Sequence, residues 1–309
     1  MNDLAGAVWA PADLEGSTEQ MASGGGEGAG AYITHHLTNW CVGCNPVTHH
    51  PDGLVDMSAF NIDVILVSGL IAAGLVAVAA LMRQRWRIDT PGRFQQSLEF
   101  MLEYISDQIR EVFPRANHYV GAMALTIFIW VFLMNLTDLI PIDLVPVIAQ
   151  GIGHAMGLET VHFRLVPTAT LDVPFAMAVV VFVLMVYYQL RANGPVGYVK
   201  RFLFHPYGKF ATPANILTTF IDDVAKPVSL SLRLFGNMFA GELIFALLAM
   251  LSLSALESFG WGTIWQIPAH FLAGVVWTLF DLLIAALQAF IFAVLTVVYL
   301  GMAQQTEGH

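Results

Sequence analysis

The residue with the most demanding chemistry in this chain is an arginine. Lys226 and Arg233 lie inside one long apolar stretch, IDDVAKPVSLSLRLFGNMFAGELIFALLAM. A guanidinium near the middle of a bilayer costs roughly 2.5–3.5 kcal/mol on insertion scales, so Arg233 needs a compensating interaction. At about 100° per residue, Asp222, Lys226, Arg233, Asn237 and Ala240 share one helical face, with Gly236 close beside it. Asp222 and Lys226 are four apart and can pair; Arg233 has no such neighbour. Gly236 and Ala240 keep the face low and admit a second helix at close range, and that helix is expected to bring a carboxylate. The plainer alternatives are that Arg233 snorkels, pairs inside its own bundle, or sits on a shorter helix at an interface.

Other polar residues in apolar surroundings form a second set. Glu242 follows Arg233 by nine residues, about half a turn of azimuth away, so the two cannot share a face. An intramembrane glutamate turned from the arginine is a candidate proton-relay residue or a hydrogen-bonded structural one. His270, Asp281 and Gln288, separated by eleven and seven residues, form a stripe about 27 Å long at 1.5 Å per residue. Such a stripe suggests a wet pathway, the alternative being helix-to-helix hydrogen bonding. Asn135, Asp138 and Asp143, in FLMNLTDLIPIDLVP, stand at the end of another apolar run. There the two acids can gather protons, or simply serve as turn and cap residues around Pro141.

The elements that must position these groups are membrane helices. Of the 309 residues, 57% are hydrophobic and 12% charged, against roughly 25% charged in a soluble domain, which argues against a soluble enzyme. A net charge of -10 offers no surface for nucleic acid. Runs long enough to cross about 30 Å of hydrocarbon occur at 61–82, 120–139, 173–190, 214–253 and 268–302. The last two exceed an upright span, so they are expected to tilt or bend. Between Arg93 and Phe113, apolar Phe94, Leu98, Met101, Ile105 and Ile109 recur at helical spacing, as in an amphipathic helix lying in the interface. The expected fold is therefore all-α, with five transmembrane helices and one in-plane helix.

Ten of the 13 Lys and Arg residues fall in two connections, 83–115 and 191–209, whereas 141–172 holds only Arg164. The positive-inside rule then puts both basic connections and the C-terminus in the cytoplasm and the N-terminus outside. Residues 1–59, acidic, glycine-rich and free of Lys and Arg, read as a flexible outer segment; 60–303 form the membrane domain and 304–309 a short tail. The start lacks the basic stretch and short apolar core of a signal peptide, so the N-terminus is expected to be retained.

SLSLRLFGNMFAGELIF at 229–245 resembles the signature of subunit a of the F-type ATP synthase, as do ALTIFIWVFLMNLTDLIPIDLVP at 124–146, KPVSLSLR at 226–233 and LQAFIFAVLTVVYLGMA at 287–303. ITHHLTNW at 33–40 is similar to the family's N-terminal segment. The resemblance implies a bacterial inner-membrane stator subunit, non-catalytic itself, packed against a rotating ring of c subunits and accompanied by the b subunits of a peripheral stalk. It places the essential arginine at Arg233, companions at Asn237, Glu242 and Gln288, and a tilted hairpin on the last two long stretches. Ions would use two half-channels facing opposite compartments, and no cofactor is implied. The chain departs from the pattern at Asp281, where relatives often carry a histidine working with the glutamate. Two acids would then face each other and hold a proton between them, and His270 is a candidate for supplying the missing imidazole.

Cys41 and Cys44 stand near His35, His36, His49 and His50, a weak Zn²⁺ set. A disulfide, or free thiols, are the plainer readings for a segment outside the cytoplasm. The competing function is a self-contained channel or secondary transporter. It would need its own counter-charge at the depth of Arg233 and usually a duplicated half, and neither is visible.

Overall fold

In the computed structural model the described residues are 38–44, 58–85, 91–112, 118–141, 144–155, 163–204, 207–208, 212–257 and 263–304. They form seven helices: α1 Ile62–Arg85, α2 Arg93–Val112, α3 His118–Leu136, α4 Leu144–Ala155, α5 Asp172–Phe204, α6 Thr212–Glu257 and α7 Thr263–Gln304. Short 3-10 turns follow α3 at Thr137–Leu139 and precede α5 at Pro167–Ala169. Cys41–Val42 (β1) pairs antiparallel with Phe60–Asn61 (β2) just before α1. Five helices, α1, α3, α5, α6 and α7, are long and apolar enough to cross a membrane, matching the five runs expected from sequence.

The bundle is built by α3, α5, α6 and α7, with α7 touching the other three and α6 lying against α5. Its core joins Val131 of α3, Val181 of α5, Leu230, Leu234 and Met238 of α6, and Ala289 and Phe292 of α7. Val166 and Ala169, from the segment preceding α5, enter the same cluster, so that segment folds inward. Helix α1 is peripheral, its Leu66, Leu70, Val76 and Leu81 exposed. An apolar surface of that kind suits lipid or a membrane-embedded partner.

The amphipathic helix lies against α3 and α7, with Tyr104 6.3 Å from the Phe290 ring. Its apolar face is shared: Leu98 and Met101 are partly covered, while Phe94 and Phe100 stay exposed.

Three features depart from the expected outline. The 141–172 connection contains α4, whose 12 residues are too few to span. Helix α5 does not stop at Leu190 but continues to Phe204 through a kink at Gly194 (φ 68°) ahead of Pro195. Glycine tolerates that φ and proline cannot donate to the preceding turn, so the chain bends and resumes. The return into α6 is fastened by buried Asn215, whose Oδ1 accepts from Tyr207 N (2.8 Å) and whose Nδ2 donates to Leu203 O (3.0 Å) and Gly208 O (2.8 Å). The 46 residues of α6 and 42 of α7 far exceed the roughly 20 of an upright span.

Candidate functional site

Helix α6 is two-faced. Leu230, Leu234 and Met238 point into the core, while Arg233, Gly236, Asn237 and Ala240 are exposed along a flanking side. The 3.6-residue period separates the two sets, as the sequence required. Among the described residues, no carboxylate of this chain pairs with Arg233. No Cβ contact would form within 4 Å at Gly236, so a smooth trough runs beside the guanidinium. Asn237 reaches sideways and donates from Nδ2 to Oε1 of Gln288 on α7, 3.1 Å away, joining two of the sequence-derived site residues at the edge of this face.

Glu242, on the inward side of α6, is 3% exposed and is held by Arg164. Arg164 Nε donates to both carboxylate oxygens at 3.0 Å, its Nη2 donates to Oε2, and Nη2 also reaches Ala169 O at 3.2 Å. The planar guanidinium fork matches a carboxylate, which is why arginine suits a buried pair. The backbone of Arg164 is itself anchored: its N–H donates to Oδ2 of fully buried Asp63 (3.1 Å), which also accepts from Trp40 N (3.0 Å), while Oδ1 accepts from Val64 N (2.8 Å).

The expected confrontation of Glu242 with Asp281 is therefore corrected. Glu242 faces an arginine delivered by the inward-folded segment before α5. Asp281 instead meets Asp138 across Gly241, where a Cβ would lie 2.7 Å from Asp138 Oδ2 and 3.0 Å from Asp281 Oδ1. Only a glycine lets both carboxyl groups close on α6 there. Neither Asp281 oxygen, nor Asp138 Oδ2, nor either side-chain polar atom of fully buried Asn135 has a hydrogen-bond partner among the described residues. Buried polar atoms without protein partners are satisfied by water or by shared protons. Asp138 also borders a cleft with Thr137, Pro141, Phe163, Arg164 and Glu242. Asp138 and Glu242 thus line one cleft.

His270 is not brought to this cluster. It is half-buried, with no hydrogen-bond partner for Nδ1 among the described residues, and eleven residues of helix put it about 16 Å from Asp281 along α7. Asp143, His35 and His36 lie outside the described residues. Cys41 and Cys44 are bonded to each other, which removes both thiolates as metal ligands. At the far end of α6, Lys226 Nζ lies 2.6 Å from Asp222 and 3.7 Å from Asp223, and Arg201 of α5 lies 2.7 Å from Asp223.

Arg164, Asp63, Asp223 and Arg201 were not among the sequence-derived candidates. Arg164 carried a usable signal. It stands between apolar Phe163 and Leu165-Val166, and the energetic argument applied to Arg233 applies equally to it.

The chain matches the family model described as ATP synthase A chain over residues 64–301. Proteins named "ATP synthase subunit a" are similar throughout. That of Coxiella burnetii (strain CbuG_Q212) is 39% identical over 276 residues, covering 89% of this chain and 96% of the relative. That of Alkalilimnicola ehrlichii is 39% identical over 278 residues, covering 90% and 97%. That of Marinomonas sp. (strain MWYL1) is 39% identical over 289 residues, covering 90% and 98%.

Proposed function

Because the chain belongs to the ATP synthase A chain family, we propose that it is the proton-translocating stator subunit of the membrane sector of a bacterial ATP synthase. It is multi-pass in the inner membrane, with the N-terminus outside and the C-terminus in the cytoplasm. Its partners are the rotating c ring, seated on the Arg233 face of α6, and the b subunits of the peripheral stalk. It is not itself catalytic; the chemistry of ATP belongs to the sector it drives. The single observation that carries the reading is Arg233, exposed on a smooth helix face and without an acid of its own chain among the described residues.

The mechanism follows from electrostatics. An opposite charge within about 4–6 Å lowers a carboxylate's pKa by roughly 1–3 units, so a protonated ring carboxyl arriving at Arg233 releases its proton. Arginine stays charged in a poor dielectric, unlike lysine, and so also bars a direct leak between the two half-channels. Gly236 and Ala240 leave room for the ring helix to slide past. Asn237, bonded to Gln288, flanks the arginine and fixes the border between α6 and α7.

The outer half-channel runs through the cleft and the buried polar cluster of Asn135, Asp138 and Asp281. Arg164 neutralises Glu242 on its wall. The Asp222–Lys226 pair lies towards the other compartment. A membrane potential biases the direction by about 2.3 kcal/mol per charge per 100 mV.

The test is Arg233→Ala in the assembled complex. ATP-driven proton pumping into vesicles is expected to vanish, while the detached soluble sector still hydrolyses ATP. Full coupling retained in that variant would refute the assignment. A self-contained transporter would instead move protons in vesicles holding this chain alone.

A further inference from the structure

We propose that the hairpin before α1, its first strand ending in the disulfide-closed turn 41–44, is a positioning element for the Arg164–Glu242 pair, fixing the wall of the outer half-channel; this rests on the functional reading above. The hairpin is a built structure. Its β pairing has only two residue pairs, Cys41 with Asn61 and Val42 with Phe60, too short to persist unaided. The Cys41–Cys44 bond does not join the two strands; it closes a four-residue turn that carries the chain out of β1. Gly43, in that turn at φ 84°, is pressed so close to the residues leading into β2 that a Cβ would meet Ser58 O at 2.2 Å, so no side chain fits there.

From that hairpin, hydrogen bonds reach both ends of the inward-folded segment 163–171. Trp40, next to Cys41, accepts from Ile62 N (2.9 Å) and donates to Asp63 Oδ2 (3.0 Å). The same oxygen accepts from the backbone of Arg164 (3.1 Å), whose guanidinium holds Glu242. On the other strand, Asn61 Nδ2 donates to Asp172 Oδ2 (2.8 Å), immediately after the segment ends. One small outer structure therefore grips the segment at its first turn and at its exit. Bidentate pairing tolerates little displacement, so a loosened hairpin lets Arg164 drift from Glu242 and alters proton uptake. Both cysteines are partly exposed, within reach of a soluble thiol reagent.

The experiment uses the assembled ATP synthase in vesicles. Dithiothreitol reduces the disulfide, two electrons and two protons passing to the cysteines as the reagent closes to its own disulfide, and maleimide labelling verifies the product. Proton-driven ATP synthesis is measured against the pH of the outer compartment, before and after reduction and after reoxidation with diamide. The expected result is a roughly threefold to tenfold fall, in the range of coupling through packed networks. A displaced outer-pH profile accompanies the fall, and reoxidation restores both. A Cys41→Ser, Cys44→Ser complex is expected to start at the low rate and ignore the reagent, with its content of this subunit and the ATP hydrolysis of its detached soluble sector unchanged. Verified reduction that leaves rate and outer-pH profile unaltered would overturn the proposal, even if the serine variant fails to assemble. Arg233→Ala in the same vesicles separates the two ideas. If it is inactive while reduction does nothing, only the hairpin's role falls; if it stays coupled, the stator reading falls with it.

Discussion

Two arginines of this chain solve the same electrostatic problem in opposite ways. Arg164 is buried and locked to Glu242 of its own subunit, with its backbone tied to Asp63. Arg233 stands exposed on α6, with no acid of the chain beside it among the described residues. A desolvated guanidinium demands a carboxylate in either case. Where the carboxylate is built in, the pair is permanent and serves as architecture. Under the proposed function the carboxylate for Arg233 comes from another molecule, so the interaction is reversible, as a rotary contact needs.

The contrast is broken most severely at Arg233. Arg233→Lys keeps a cation, but one that loses its proton readily when desolvated, so ATP-driven pumping should fall at least about a hundredfold while the subunit still assembles. Fluorescence-quench pumping assays with quantitation of the subunit check this. At Arg164, removal of one partner should instead damage the fold. Arg164→Gln strands the Glu242 carboxylate and should cost about 3–5 kcal/mol, read as lost subunit and a lower unfolding midpoint in detergent. Adding Glu242→Gln should recover much of that stability, because no charge is then left unpaired. The same double change at an arginine working through a moving partner would recover nothing.

A pair of glycines sharpens the comparison. Gly241→Ala would force a carbon to 2.7 Å from Asp138 Oδ2 and 3.0 Å from Asp281 Oδ1. The expected result is a loss of roughly 1–3 kcal/mol, as for overpacking, together with slowed proton uptake. Gly236→Ala meets nothing within 4 Å in this chain. Its isolated subunit should be as stable as the parent, and any pumping defect in the complex then reports the ring passing that face. The smallest effect belongs to Asp222→Asn, since Asp222 is the exposed member of its pair with Lys226. An exposed pair four residues apart contributes about 0.3–0.5 kcal/mol at most, and pumping should stay near the parent level.

Much of this was legible in the chain because it depends on local periodicity. The five spans follow from apolar runs, and the Arg233 face follows from the helical period applied to 222–240. The amphipathic helix α2 follows from the spacing of Phe94, Leu98 and Met101. Partners across the fold were not legible. Nothing in the spacing of Glu242 and Asp281 says that Arg164, 78 positions from Glu242, folds inward to claim the glutamate, or that Asp138 lies opposite Asp281 across Gly241. The inward segment is irregular, so it has no period to read. The kink in α5 was hidden because a glycine and a proline equally mark a helix end, and only the resumed helix carrying Arg201 to Asp223 distinguishes a bend from a stop.

The central claim, that the counter-ion of Arg233 comes from a different and moving subunit, is tested most directly by a side-chain-resolution map of the intact complex. A ring carboxylate within about 4–6 Å of the Arg233 guanidinium, close enough to shift its ionisation, with no acid of this subunit nearer, is the expected result. Finding Arg233 joined to an acid of its own chain, or facing bulk water with the ring seated elsewhere, would contradict it.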